Sequence, residues 1–378
     1  MAEKLGLYIH IPFCKAKCDY CDFYSLPDRE EAMDLYLKAL VTHLRETAPL
    51  TKGWKVDTVY IGGGTPSYFG AKRIAKLLGE VRRRFDVTRD AEITCEANPE
   101  SADRKFLTTV RRSGVNRLSV GMQSASDAEL QAVHRLHDFQ QVTQAVAAAK
   151  KAKIKNLSLD LIYGLPGQSM DSWKKSLEAA LALEPQHLSC YGLKVEPGTP
   201  LDGRVTRGEI LPDDDTQADM YLWTVERLAQ AGYEQYEISN YAQPGYSSAH
   251  NQVYWRTDNY LAVGLGACSW VRPLRWNNSF TMADYLAQVQ ASRLPQQEPE
   301  HLTEQEQMEE TVFMALRMNQ GLCKVTFQQR FGKPIEAVFA DALQRCISQG
   351  WLEEAGGYLR LTEKGRVLGN VVFLEFIQ

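Results

Sequence analysis

Three cysteines, Cys14, Cys18 and Cys21, fall within eight residues, in the run His10-Ile11-Pro12-Phe13-Cys14-Lys15-Ala16-Lys17-Cys18-Asp19-Tyr20-Cys21. Three thiolates on one short loop can hold three irons of a [4Fe–4S] cube and leave the fourth iron without a protein ligand. An open iron of that kind can chelate the amino and carboxylate groups of S-adenosylmethionine (SAM). One electron from the cluster then cleaves the sulfonium S–C bond. A zinc site is the alternative, with His10 or a distant residue as the fourth of the N/S ligands that structural zinc needs. Unligated loop thiols are the third reading.

A loop of this kind needs a scaffold. Short β-rich runs recur at Leu5–Ile11, Val56–Ile61, Glu92–Glu96, Arg117–Gly121, Asn156–Tyr163 and His187–Leu193. Amphipathic helical stretches separate them, at about 30–47, 70–84, 102–113, 138–152 and 169–183. A further helix over Asp214–Ala231 follows, with Asp213-Asp214-Asp215 placed to cap it. This alternation predicts an α/β fold with a parallel sheet. Six β/α units are fewer than the eight of a closed barrel, so an open, partial (β/α)6 TIM-like barrel is expected. The cysteines would then sit on the loop after strand one, at the end where such barrels do chemistry.

After residue 231 the rhythm changes. Tyr233–Tyr241 and Tyr260–Leu265 read as strands with a polar, aromatic loop between them, and a Pro/Gln/Glu-rich linker occupies 291–300. From 301 the pattern is three helices and then a hairpin around Gly356-Gly357, a C-terminal α+β module of winged-helix type. Residues 301–378 hold eight Lys/Arg against ten Asp/Glu, which argues for protein contacts rather than nucleic acid. The expected organisation is 1–235, a core domain; 236–300, an extension with the linker; and 301–378, the C-terminal domain. The whole chain, with 43 Lys+Arg and 47 Asp+Glu in 378 residues, gives no electrostatic reason to bind nucleic acid or anionic lipid. No secretory signal or membrane-spanning run is visible, so a cytoplasmic, reducing location is expected, where clustered cysteines suggest metal rather than disulfides.

Several further segments fall in a telling order. Gly62-Gly63-Gly64-Thr65-Pro66 follows strand two, Glu96 ends strand three, Gln123 follows strand four, Arg135 lies twelve residues on, and Asp160 lies in Asp160-Leu161-Ile162-Tyr163-Gly164-Leu165-Pro166-Gly167. With Tyr8-Ile9-His10-Ile11-Pro12-Phe13 and the cysteine motif, they resemble the radical SAM superfamily. More narrowly, they resemble the oxygen-independent coproporphyrinogen III oxidase family, over nearly the whole chain. The resemblance implies a cluster on Cys14, Cys18 and Cys21, and a SAM site formed by Tyr8, Tyr20, Gly63, Gly64, Thr65, Glu96, Gln123, Arg135 and Asp160.

Two departures redirect the expected function. The oxidase carries a fourth cysteine where this chain has Phe23. The segment His250-Asn251-Gln252-Val253-Tyr254-Trp255 fits an H-N-x-x-Y-W motif, and both features resemble the HemW branch, whose members act as haem chaperones. That resemblance implies haem as cargo, with His250 as a candidate ligand, since imidazole is a common axial ligand. A polar loop pinned by its aromatics is the other reading. The resemblance also implies haem-acceptor proteins as partners, a flavodoxin or ferredoxin as electron donor if SAM is cleaved, and a cluster-dependent homodimer. Oxygen-independent coproporphyrinogen oxidation, or another porphyrin modification, stays as the alternative. Cys268, where relatives show histidine, reads as a substituted ligand or a small buried residue. His134 and His137 read as helix-surface or pocket-rim groups rather than a metal pair. Cys95, Cys190, Cys323 and Cys346 read as core thiols.

Overall fold

The computed structural model describes residues 3–377. Its main sheet contains β1 (Lys4–Ile11), β2 (Lys55–Gly63), β3 (Asp86–Ala97), β4 (Arg117–Gln123), β5 (Asn156–Tyr163) and β6 (His187–Gly192), paired in that order and all parallel. Helices Met33–Thr47, Ala71–Arg84, Arg104–Arg112, Phe139–Lys151 and Met170–Ala182 stand between the strands. The partial TIM-like barrel is thus present, and β5 has the bounds expected from sequence.

The later chain departs from expectation in three places. The stretch expected as one strand over Tyr233–Tyr241 is a tight pair, β7 (Glu234–Glu237) and β8 (Asn240–Ala242), added antiparallel beyond β6. The run at Tyr260 forms β9 (Tyr260–Val263), which pairs in parallel with β1 on the side away from β2. The parallel set therefore numbers seven strands, one more than the β/α rhythm suggests. Between β8 and β9 lies a helix, Ala249–Trp255, where a loop was expected. Ser248 caps it, accepting from Asn251 N at 3.3 Å.

Side-chain alternation gives the barrel its interior. Along β4, Leu118, Val120 and Met122 are fully buried in apolar packing, whereas Arg117, Ser119, Gly121 and Gln123 line a cavity on the other face. Helix caps agree with sequence: Asp213 accepts from Thr216 N at 2.8 Å, and Asp138 with Gln141 forms a capping box. The apolar core continues past residue 235, taking in Tyr241, Leu261, Val263, Tyr285 and Val289.

The C-terminal module has its own core, from Met308 to Phe376. Helices Glu304–Leu316, Lys324–Phe331 and Glu336–Ser348 precede the hairpin Leu352–Ala355 and Tyr358–Leu361, with Leu322–Cys323 as a third short strand, the winged-helix-like arrangement expected. It meets the barrel at the end of the Ala249–Trp255 helix. Thr257 Oγ1 lies 3.0 Å from Thr311 Oγ1, Arg330 Nη2 pairs with Asp258 at 3.0 Å, and the Arg317 guanidinium lies 4.6 Å above the Trp255 ring. Among the described residues no helix is long and apolar enough to cross a membrane.

Candidate functional site

The cysteine loop is fixed before any ligand is considered. Leu26 N donates to Pro12 O at 2.6 Å and Asp28 N to Cys14 O at 3.1 Å, which closes the segment into a compact lobe over the C-terminal end of β1. His10 braces its base. One ring nitrogen bonds Tyr24 O and the other the Tyr8 hydroxyl, both at 2.9 Å. Burial holds the His10 pKa at about 4, so the ring is neutral and needs a donor on one side only. The far side hangs on Asp19, which accepts from Arg204 at 2.6 Å and faces His134 Nδ1 at 2.7 Å. His137 points elsewhere, bonded to Met122 O at 3.1 Å, so the two histidines share no ligand position.

A cavity of about 350 Å³ opens beneath this lobe. It is lined by Cys14, Cys18, Cys21, Tyr20, Gly63, Gly64, Thr65, Glu96, Gln123, Arg135 and Asp160, so eleven of the thirteen residues singled out in the sequence share one space. Arg135 donates to Asn98 Oδ1 and Gly121 O, both at 3.0 Å, and its Nη1 lies 3.5 Å from Cys18 Sγ. Thr65 Oγ1 approaches Cys14 Sγ at 3.4 Å. Glu96 accepts from Tyr60 OH at 2.7 Å and from Gly63 N at 3.0 Å. Asp160 accepts from Ser119 at 2.8 Å and Ser158 at 3.2 Å. Gln123 sits at φ +63°, a strained left-handed conformation at the cavity edge.

The other two of the thirteen lie outside the cavity lining. Tyr8 does not line the cavity: its hydroxyl is taken by His10, and its ring lies beside Tyr60 at 6.2 Å. His250 is fully buried on the barrel floor. Its Nδ1 lies 2.8 Å from Thr58 Oγ1 and its Nε2 2.9 Å from Tyr254 OH, while its ring stacks on Tyr60 at 5.1 Å. Both nitrogens are engaged, so His250 offers no free site for a haem iron here. The helix that carries it is a plug, pinned by Glu92, which accepts from Ala249 N and His250 N at 3.0 Å each. Of the motif, only Asn251 lines the cavity. Cys268 stands on the strand Cys268–Val271, outside the cavity lining.

Sequence reasoning missed Tyr60, Asn98, Arg117, Ser119 and Asn251 in the lining, and Asp19 and Arg204 behind the loop. Tyr60, Arg117 and Ser119 follow from strand alternation once the register of the sheet is known, whereas Asn98 follows β3, Asn251 stands on the Ala249–Trp255 helix, Asp19 on a turn and Arg204 on the helix Pro200–Thr206. Sequence alone supplied that register only approximately.

The chemistry of the cavity can be tested against the groups it is expected to hold. Burial is the largest influence on Cys14 and Cys21 and pushes both thiols up, Cys21 to about 11, so metal must displace protons there. Among the described residues no three His, Cys, Asp or Glu side chains converge as ligands of one ion. Three thiols from one short loop around one space are the donor set that a cube held at three corners needs. The glycines leave room beside them. A Cβ on Gly64 would lie 3.0 Å from Cys14 Sγ and 2.8 Å from Phe13 O, and one on Gly63 (φ +113°) would lie 2.4 Å from the His10 ring. Two buried carboxylates and Arg135 face the same space, a donor and acceptor set suited to a zwitterionic, cationic ligand.

Comparisons with known proteins follow the same lines. The Radical SAM superfamily pattern matches residues 8–180 and the HemN C-terminal domain pattern matches 302–368. The chain is 36% identical to Heme chaperone HemW of Escherichia coli K12, over 99% of this chain and 98% of that protein. It is 33% identical to Heme chaperone HemW of Bacillus subtilis 168, over 98% of each. Among solved structures it overlays coproporphyrinogen III oxidase (HemN) from Escherichia coli, a radical SAM enzyme, with a TM-score of 0.88 at 26% identity, covering 99% of this chain and 90% of that one.

Proposed function

The chain belongs to the HemW family of the radical SAM superfamily, and from that membership we propose that it is a haem chaperone holding one [4Fe–4S] cluster and SAM. The observation that carries the reading is the near full-length likeness to two heme chaperones. The cavity supports its cofactor half. Cys14, Cys18 and Cys21 would hold the cluster, and Glu96, Gln123, Arg135 and Asp160 would hold SAM. A bound cluster supplies an open iron and one electron, delivered by a flavodoxin or ferredoxin where SAM is cleaved. The chain's own work is to fix the thiols, exclude water from beneath them and place two carboxylates under a cation. Haem would pass from this protein to acceptor proteins. Because both His250 nitrogens are engaged, ligation through that residue requires the floor helix to open, and a ligand elsewhere does not.

The test is an anaerobic haem titration of cluster-loaded and cluster-free protein, followed by mixing with an apo-haemoprotein. Haem binding and transfer are expected; no haem binding in any cluster state overturns the reading. A second reading, coproporphyrinogen III oxidation, draws on the HemN overlay. Against it stands Phe23, 65% exposed beside the cluster loop, where the oxidase pattern has cysteine. Protoporphyrinogen formed from coproporphyrinogen III with SAM and a reductant, with matching deoxyadenosine, would reverse the order.

Glu96 gives a pH prediction. Burial raises its carboxyl, Asp160 adds to this, and the Tyr60 hydroxyl, Gly63 N–H and Arg117 oppose it, for a pKa of about 7. The ligand-free fold therefore keeps a proton that the unfolded chain has lost, and the stability this contributes disappears as pH rises through about 7. A cation prefers the ionised form, so SAM affinity should rise about tenfold between roughly pH 6 and 8. Glu96→Gln should bind SAM more weakly and with no such slope; an unchanged slope in isothermal titration contradicts the assignment.

A further inference from the structure

Arg117 opens β4 and points into the barrel interior. It is 2% exposed and lines the cavity with Tyr60, Glu96 and Asp160. Its Nε has no hydrogen-bond partner among the described residues. A buried guanidinium without a contact partner is costly, because desolvation of a lone charge is repaid only by opposite charge close by. Three carboxylates stand around it, and each is bonded to other donors. Glu92 holds the floor helix, Glu96 holds Tyr60 and Gly63, and Asp160 holds Ser119 and Ser158. Arg117 therefore acts on them through space rather than by contact. The difference matters. An ion pair would consume carboxylate lone pairs facing the cavity, whereas a charge at a distance leaves them free.

We propose that Arg117 is a positioning residue, a fixed counter-charge at the cavity floor that favours the ionised forms of Glu96 and Asp160 against their burial and leaves their lone pairs available for a cationic ligand above them. This rests on the reading that the cavity takes a sulfonium. The groups facing Glu96 come from every neighbouring element. Tyr60 on β2 and Gly63 N donate to it, Tyr8 on β1 and Tyr254 on the floor helix stand near it, Cys95 flanks it, and Asp160 on β5 opposes it. Facing Asp160 are Ser119, Ser158 and Ser189 as donors, with Tyr60, Cys190 and Tyr191 nearby. Arg117 is the cation that both carboxylates share, since Arg135 donates to Cys18, Asn98 and Gly121 instead.

The test reads the carboxylates directly. In full-length, ligand-free protein labelled with 13C at the carboxyl carbons, Glu96 should titrate near pH 7 in the parent. In Arg117→Met its midpoint should move up, the effect of removing an opposite charge nearby. Arg117→Lys should return most of the shift. The pH at which SAM affinity rises should move with it. An unmoved midpoint in Arg117→Met overturns the proposal. So does a parent midpoint above about 8, a reading that holds even if the methionine variant fails to fold. If the midpoint moves as expected but SAM binds no variant or parent, the counter-charge stands and the functional reading falls.

Discussion

Replacing any one of Cys14, Cys18 or Cys21 by serine is expected to remove the cluster outright. The parent, reconstituted anaerobically, should carry about four irons and four sulfides per chain with broad absorption in the visible. Each variant should carry close to none. The size of the effect follows from the site. In the proposed site each thiolate would be the sole protein ligand of one iron, and an alcohol in its place neither ionises at neutral pH nor binds iron comparably. His10 is no spare ligand, since both its nitrogens are engaged by Tyr8 and Tyr24. Cys268→Ser is the control; it lies outside the cavity and should keep its iron. A serine variant that kept four irons would show that the loop does not hold the cluster.

His250→Ala should cost stability and leave haem coordination alone. The side chain is fully buried, makes two hydrogen bonds and stacks on Tyr60, which in turn donates to Glu96. Its removal leaves a cavity and strands Thr58 and Tyr254, together about 3–5 kcal/mol. A fall in Tm of roughly 5–10 °C is expected. Weaker SAM binding should accompany it, because Tyr60 loses its support. The position of the haem Soret band should stay where it is in the parent. A shifted band at unchanged Tm would instead make His250 an iron ligand.

Much of the site was legible because the ligands lie at strand ends. β-rich runs located β1, β2 and β4 to β6 within two residues and the C-terminal half of β3, whose first six residues they missed. The floor was not legible. Ala249–Trp255 has no apolar period, being only seven residues long, and half of what fixes it is Glu92, more than 150 residues earlier in the chain. Ser248 was a readable cap signal in front of it. Arg117 reads in the sequence as an ordinary strand-end charge; it shares the cavity face of β4 with Ser119, Gly121 and Gln123, and only the closed-over sheet buries that face. The same holds for β9. Its sequence shows a strand, but nothing local says that it pairs with the first strand of the chain.

That pairing sets an order of events in synthesis. β1 leads directly into the cysteine loop, and its outer edge is covered by residues 260–263, roughly two-thirds of the way along the chain. Until that segment has left the ribosome, the strand carries an open ladder of N–H and C=O groups, and the loop's support from Leu265 through Tyr36 is missing. Iron delivered to the nascent chain would meet thiols with no fixed spacing. Any cluster loading is therefore expected late, and truncations that stop before β9 should yield chains that aggregate rather than a smaller cluster protein.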